Sequence, residues 1–226
     1  MKNRAALNAA RRREGAARNA SCQCRLPRSA RQFEEAARPH DRNRTVIRIV
    51  GGCWRGRRLA VPADRSVRPT AERVREAAFN RLLHAGLDPP LEGAAFLDVF
   101  AGTGAVGLEA LSRGAARASF IESDPAVLAL LRGNVGEEGT IHVRDAASPG
   151  PAPAAHDIAW LDPPWGSGLA APALAALGRG GWLRPGALVV VESAHDDAPD
   201  LPGLIDRRRY GRTMLAFLRV PPAEAG

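Results

Sequence analysis

Hydrophobic and polar positions predict a chain in two parts. Val46-Ile47-Arg48-Ile49-Val50 alternates partly as a strand that Gly51-Gly52 turns, and 54–59 continues it with Arg55, Arg57 and Arg58 interleaved. Val74, Ala77, Ala78 and Leu82 fall on one side of a helix predicted over 71–83. From 94 onward the pattern is strand then helix, repeated. Apolar runs predict strands at 95–100, 118–121, 140–143, 158–161 and 187–191, with helices at 105–112, 125–134 and 169–177 between them. Residues 204–209 and 213–220 flank Tyr210-Gly211-Arg212 as a closing hairpin. This alternation predicts an α/β fold: a doubly wound, mostly parallel sheet with its site at the carboxyl ends of the strands.

Residues 1–45 show no periodic apolar face, and charge separates them from the rest. They carry 12 basic and 4 acidic side chains, a net of +8, which is the net charge of all 226 residues. The remainder is neutral. The natural reading is a basic, disordered arm, because too little apolar surface is available to offset the entropy of ordering. An organelle transit peptide and an upstream segment joined by a misplaced start codon are the other readings of the same residues. The whole chain is 45% hydrophobic, and the part after the arm is long enough for one domain with a real core. No apolar run approaches the roughly 18–20 residues of a membrane helix. Cys22, Cys24 and Cys53 are too few for a disulfide framework, and Cys22-Gln-Cys24 lacks standard zinc spacing. The histidines show no metal spacing either. A soluble cytoplasmic protein that binds no metal is expected.

The first chemical motif is Leu97-Asp98-Val99-Phe100-Ala101-Gly102-Thr103-Gly104-Ala105-Val106-Gly107. Gly102, Gly104 and Gly107 have the G-x-G-x-x-G spacing between a strand and a helix, where glycines let a cofactor approach the backbone and let the helix pack on the sheet. Glu122 lies 20 residues beyond Gly102, at the end of the next strand, where a carboxylate can accept both ribose hydroxyls. A nicotinamide cofactor and S-adenosylmethionine (SAM) both satisfy this much. Asp98 favours SAM, because a carboxylate there suits a cationic ammonium group and repels a pyrophosphate.

The second motif, Asp162-Pro163-Pro164-Trp165, stands at the end of a predicted strand. Pro163 holds Asp162 extended, and successive fixed φ angles aim the backbone carbonyls. The exocyclic amino group of a nucleobase is a poor nucleophile, since its lone pair is delocalised into the ring. A carboxylate and a carbonyl accepting its two N–H bonds turn that lone pair toward a methyl donor and stabilise the developing positive charge. The aromatic ring supplies a stacking face for an extruded base.

These two motifs resemble the amino-methyltransferases. Arg48-Ile49-Val50-Gly51-Gly52, Trp54-Arg55-Gly56-Arg57, Arg68-Pro69-Thr70, Arg73-Val74-Arg75-Glu76 and Phe79-Asn80 narrow the resemblance to the RsmD family, bacterial 16S ribosomal RNA (guanine-N2) methyltransferases. The stretch 108–115 and Val191-Glu192-Ser193 resemble it too, so the likeness runs over about 46–220. The resemblance implies a Rossmann-like class I SAM-dependent methyltransferase fold: a mostly parallel seven-stranded sheet with a C-terminal antiparallel hairpin. Residues 46–226 would form the methyltransferase domain, with 46–93 an RNA-facing segment and 94–220 the Rossmann-like core. It implies SAM as cofactor and a guanine of 16S rRNA (guanine 966 type) in the assembled small subunit as acceptor, with the enzyme a monomer. Asp98, Phe100, Ala101, Gly102, Thr103, Gly104 and Gly107 would hold the cofactor, with Asp98 and Gly102 to Gly104 at its methionine part. Glu122 would take the ribose and Asp145 the adenine amino group. Asp162, Pro163, Pro164 and Trp165 would form the catalytic motif and orient the guanine. The chain departs from the family in three places. Trp165 stands where Phe or Tyr is usual, 146–156 is Pro/Ala-rich where a helix is usual, and the arm has no counterpart.

Nine arginines against three acids between Thr45 and Arg81 make a second basic patch on structured segments. Arg48, Arg55, Arg57, Arg58, Arg68, Arg73 and Arg75 are the candidate RNA contacts, and Arg207, Arg208 and Arg209 read as a solvated guard on a sheet edge. Two rivals share the motifs. A DNA or RNA adenine-N6 methyltransferase uses the same Asp-Pro-Pro-aromatic logic, although no stretch is long enough for a separate target-recognition domain. A non-catalytic ribosome-assembly factor on the same fold would leave Asp98, Glu122 and Asp162 without purpose.

Overall fold

The computed structural model describes residues 47–62 and 69–221; the arm and Arg68 lie outside the described residues. In chain order the elements are β1 (Ile47–Arg48), β2 (Arg58–Leu59), α1 (Pro69–His84), β3 (Ala95–Val99), α2 (Ala105–Ser112), β4 (Arg117–Glu122), α3 (Pro125–Val135) and β5 (Thr140–Val143). Then come β6 (His156–Leu161), α4 (Ala170–Arg179), β7 (Leu183–Ala194), β8 (Leu204–Tyr210) and β9 (Thr213–Arg219). No helix among the described residues is long and apolar enough to cross a membrane.

Seven strands form one sheet in the order β5-β4-β3-β6-β7-β9-β8, parallel from β5 to β7 and antiparallel through β9 and β8. The chain winds outward from β3 to β5, then returns to the other side of β3 to lay down β6 and β7. Order therefore reverses between β3 and β6, and a crevice opens there at the carboxyl ends of the strands. All five residues of β3 are buried, as expected of a central parallel strand. The two-residue period of the strands sorts their side chains into two cores. Phe96, Ile158, Trp160, Leu188 and Val190 pack with α1, α2 and α3, whereas Leu97, Val99, Ala159, Leu161 and Val189 pack with α4 and Trp182. Phe79 of α1 stacks on Phe96 and on Trp160, with ring centroids 6.1 Å apart in both pairs.

The strand expected at 187–191 is longer, starting at Leu183. Pairing with β6 slips between His156 and Ile158, and Gly186 (φ 78°) sits in the slipped stretch. The closing hairpin forms as expected, and β8, with exposed Arg207, Arg208 and Arg209, is the sheet edge.

The antiparallel pair β1–β2 is held to α2 by polar groups. Buried Glu109 accepts the Val50 and Gly51 N–H groups, both at 2.8 Å. Ser112 accepts Trp54 N–H at 2.9 Å on Oγ and Cys53 N–H at 2.8 Å on its carbonyl, and its hydroxyl donates to Gly51 O at 2.6 Å. Gly52 (φ +74°) is required at this seam, because a Cβ there would lie 1.8 Å from Ser112 O. Asn134 of α3 brackets Ala60 through both its N–H and its carbonyl and also donates to Thr103 O. The N-terminal segment thereby reaches the glycine loop.

Candidate active site

The loop after β3 is built around a buried carboxylate. Asp98 is 2% exposed, and its Oδ2 accepts Gly107 N–H at 2.8 Å, tying the strand end to the first turn of α2. Phe100 adopts φ 61°, alone among the described non-glycine residues. That conformation costs roughly 1–2 kcal/mol and is held by Ala101 N–H on Ile121 O at 3.1 Å and by the Phe100 ring against the α4-side core. The three motif glycines do different work. At Gly102 (φ +54°) a Cβ would meet only Phe100 O, 4.0 Å away, so this backbone edge lies open. Gly104 faces inward, where a Cβ would lie 2.8 Å from Leu131. At Gly107 it would lie 2.4 Å from the Phe120 ring, so that glycine lets α2 lie on the sheet.

Glu122, at the end of β4, accepts Gly102 N–H on Oε2 and the Ser123 and Asp124 N–H groups on Oε1, all at 2.8 Å. A carboxylate offers about four lone-pair sites. Three are taken, so the acceptance of both ribose hydroxyls expected from spacing requires one backbone bond to be exchanged. Asp145, beyond β5, is exposed and caps its own turn, accepting Ala147 N–H at 2.9 Å. The following stretch has no helix, as its composition predicts. Arg144 on Pro149 O (2.5 Å) and Trp182 Nε1 on Gly150 O (2.9 Å) fix it instead.

Across the crevice, Asp162 N–H donates to Val99 O at 3.2 Å, setting the end of β6 beside the end of β3. Pro163 is buried; Asp162, Pro164 and Trp165 are exposed, Trp165 at 39%. Pro163, Pro164 and Trp165 line a cavity of about 260 Å³ with Glu192, Ser193 and Asp197. Asp197 accepts Gly166 N–H at 2.9 Å and pins the loop after Trp165. Motif reasoning gives Glu192 no role, although a lone carboxylate ending the apolar run 187–191 is the signal that marks it.

Burial raises three carboxyls here. Burial lifts Asp98 well above the usual range; the Gly107 N–H opposes this, and Asp162 and Glu122 add to it. Asp162 lies open to the cleft, yet the protein packed around its carboxyl pushes it up to about 7. Glu192 is raised well above its ordinary value by burial and then by Asp162, with Arg75 opposing. Four carboxylates thus gather at the ends of β3, β4, β6 and β7. They do not form a metal site: no group of three or more His, Cys, Asp or Glu among the described residues is placed to hold an ion.

The candidate RNA arginines divide. Arg48, Arg55, Arg58 and Arg73 are exposed. Two others, contrary to expectation, do not face outward. Arg75 is 6% exposed, with Nη2 on Arg48 O at 2.5 Å and Nε 3.6 Å from Glu109. It lies one helical turn before buried Phe79, so it shares the inward stripe of α1. Arg57 is half-buried against Trp54, with its guanidinium carbon 5.3 Å from the ring centroid, and donates to Asn134 O at 2.5 Å. Both guanidiniums hold the N-terminal segment in place.

A family model described as conserved hypothetical protein 95 matches residues 47–219. The chain is 40% identical over 171 residues to ribosomal RNA small subunit methyltransferase D of Escherichia coli strain K12, covering 73% of this chain and 84% of that protein. It is 36% identical over 159 residues to the protein of the same name from Haemophilus influenzae, covering 66% and 80%. Among solved structures, yhhF from Escherichia coli superposes with a TM-score of 0.65 at 38% identity, covering 78% of this chain and 98% of that one. The T. thermophilus 16S rRNA N2 G1207 methyltransferase (RsmC), in complex with AdoMet and guanosine, shares the fold at 21% identity and a TM-score of 0.56, covering 77% and 49%. Matched across both β1–β2 and the crevice that it adjoins, the chain belongs to the RsmD family.

Proposed function

We propose that the protein is a SAM-dependent methyltransferase that modifies the exocyclic N2 amino group of a guanine in 16S rRNA, of the guanine 966 type, acting as a monomer on the assembled small subunit. The observation that carries this reading is the placement of Asp162-Pro163-Pro164-Trp165 across the crevice from the open Gly102 backbone and Glu122.

The residues fit SAM. An open glycine edge accepts close approach, Glu122 keeps one lone-pair site for a hydroxyl, and the surrounding carboxylates favour a ligand carrying positive charge. Asp98, beneath the loop, would complement the ammonium group, with Phe100, Ala101, Gly102, Thr103, Gly104 and Gly107 shaping the loop above it. Asp145, exposed beyond β5, would serve the adenine side. SAM supplies a methyl group on a cationic sulfur. Asp162 accepts an N–H of the target amine, holds its lone pair on the reacting line, and takes the proton released when nitrogen gains its methyl. Trp165 offers its exposed face to the base. Arg48, Arg55, Arg58 and Arg73, with Arg68, contact phosphates and give binding a salt dependence of about one counterion per contact.

The test uses labelled SAM and small subunits from cells lacking this methylation, with the product RNA digested to nucleosides. The expected product is N2-methylguanosine that disappears with Asp162→Ala while SAM binding persists. N6-methyladenosine would move the target to adenine, and no label despite SAM binding would revive the assembly-factor reading.

A further inference from the structure

We propose that Glu192 is the specificity-determining residue of this site, its carboxylate accepting the N1–H of the target guanine while Asp162 accepts an N–H of the neighbouring N2 amine. This assignment rests on the reading above and names the group that selects guanine.

Geometry carries it. β6 and β7 are parallel neighbours with Leu161 opposite Val191, so Asp162, just past the end of β6, lies level with Glu192, near the end of β7. Glu192 lines the cavity with Pro163, Pro164 and Trp165, on the side where an extruded base would lie. Among the described residues, no group donates a hydrogen bond to Glu192, and no cation lies within ion-pair distance of it. Arg75, whose charge opposes the shift of Glu192, pairs with Glu109 instead. Pro163 and Pro164 carry no N–H to offer. Two ionised carboxylates side by side, neither with a donor among the described residues, are costly. Burial raises both, and Asp162 adds to the shift of Glu192, which is consistent with a site completed by donors from the ligand.

The Watson–Crick edge of guanine presents N1–H and the N2 amine as adjacent donors, one for each carboxylate. Adenine presents one amine beside an unprotonated N1, whose lone pair would face Glu192. In its ionised form Glu192 has only acceptors, so it rejects that edge. A site built to hydrogen-bond a ligand N–H discriminates strongly against an analogue lacking it, because its own polar group is left unpaired. Glu192 therefore separates guanine-N2 from adenine-N6 chemistry on a shared Asp-Pro-Pro-aromatic frame.

The test compares the full-length wild type with Glu192→Gln on small subunits reconstituted with 16S RNA. That RNA carries guanine or 2-aminopurine at the position the wild type labels. 2-Aminopurine keeps the 2-amino group but has an unprotonated N1. Its different intrinsic nucleophilicity cancels when the guanine to 2-aminopurine ratio of kcat/KM is compared between enzymes. The side-chain amide of the Glu192→Gln variant can donate to that N1, so the ratio should fall by about tenfold or more, with SAM affinity, measured by calorimetry, unchanged. An unchanged ratio, with the wild type methylating guanine, overturns the role of Glu192 alone. A wild type that labels no guanine overturns the proposed function and this assignment with it.

Discussion

Glu109→Gln tests whether a single buried carboxylate fastens the N-terminal segment to the catalytic core. Glu109 is 0% exposed and accepts the Val50 and Gly51 N–H groups at 2.8 Å and Arg113 Nε at 2.6 Å, with Arg75 Nε 3.6 Å away. Both arginine side chains are 7% exposed. Glutamine keeps the volume but removes the charge from between two buried guanidiniums, and it turns an NH₂ toward a group that also donates. Breaking a buried pair from one side costs about 3–5 kcal/mol, because the remaining charge stays desolvated. For a domain of this size each kcal/mol moves Tm by about 2–4 °C, so a fall of roughly 10 °C is expected.

Urea and thermal unfolding followed by circular dichroism measure the loss, and a double-mutant cycle with Arg113→Met identifies its origin. If the network is real, Arg113→Met costs much less in the Glu109→Gln background than alone. The segment that Glu109 anchors carries Arg48, Arg55 and Arg58, so KM for the ribosomal substrate should also rise several-fold while SAM affinity holds. A stability loss below about 1 kcal/mol, or strict additivity in the cycle, would refute the clamp.

Three further outcomes follow from the site. Gly107→Ala should lose about 1–3 kcal/mol of stability, since its methyl would meet the Phe120 ring at 2.4 Å; Gly102→Ala meets no clash but is strained at φ +54° by about 1–2 kcal/mol, and it alone should also weaken SAM binding, which calorimetry beside unfolding curves reads. Buried His156 is pushed down to about 4, chiefly by burial, so the native state binds fewer protons than the unfolded chain between about 4 and 6.5. Its contribution, about 3 kcal/mol at most, is present above 6.5 and lost as pH falls through that window; Tm between pH 4 and 7 should fall less steeply in His156→Phe. Asp162 is shifted the other way: the native state binds more protons between 3.8 and about 7, and stability falls as pH rises across that range. Asp162→Asn should therefore raise Tm at pH 8 relative to wild type while abolishing transfer, and a lower Tm there would contradict the desolvated carboxylate.

Element order was legible because each strand of the core announces itself. The runs at 95–100 and 158–161 are apolar in a way a two-sided buried strand requires, and the helix expected over 125–134 forms as Pro125–Val135, where the Asp124 side chain accepts Ala126 N–H. What the sequence could not show is which polar residues turn inward. Arg75 and Arg57 read as surface charges because a basic run looks alike whether or not its members find carbonyls. Helical phase alone, one turn from Phe79, betrays Arg75. Glu109 and Asn134 were hidden for another reason. Their partners, Val50, Gly51 and Ala60, lie 58 to 74 residues away, and no local pattern encodes a side chain that satisfies another segment's backbone.

The chemistry of methyl transfer explains why the site tolerates an arrangement that burial disfavours. Asp98, Glu122, Asp162 and Glu192 crowd the ends of four strands, and desolvation or repulsion lifts three of them. Hydrophobic residues of similar size would give a more stable crevice. On the proposed reading, however, each carboxylate meets a different source of positive charge or donors in a single reaction: an ammonium, a ribose hydroxyl, a nucleophilic amine and a ring N–H. Two of the four already have backbone partners, Asp98 through Gly107 and Glu122 through Gly102, Ser123 and Asp124. The two without such partners among the described residues, Asp162 and Glu192, are the pair on the side assigned to the base. On that reading the fold holds the cofactor half of its site with its own N–H groups and leaves the other half to be satisfied by the nucleobase, which would make unpaired acceptors the basis of selection.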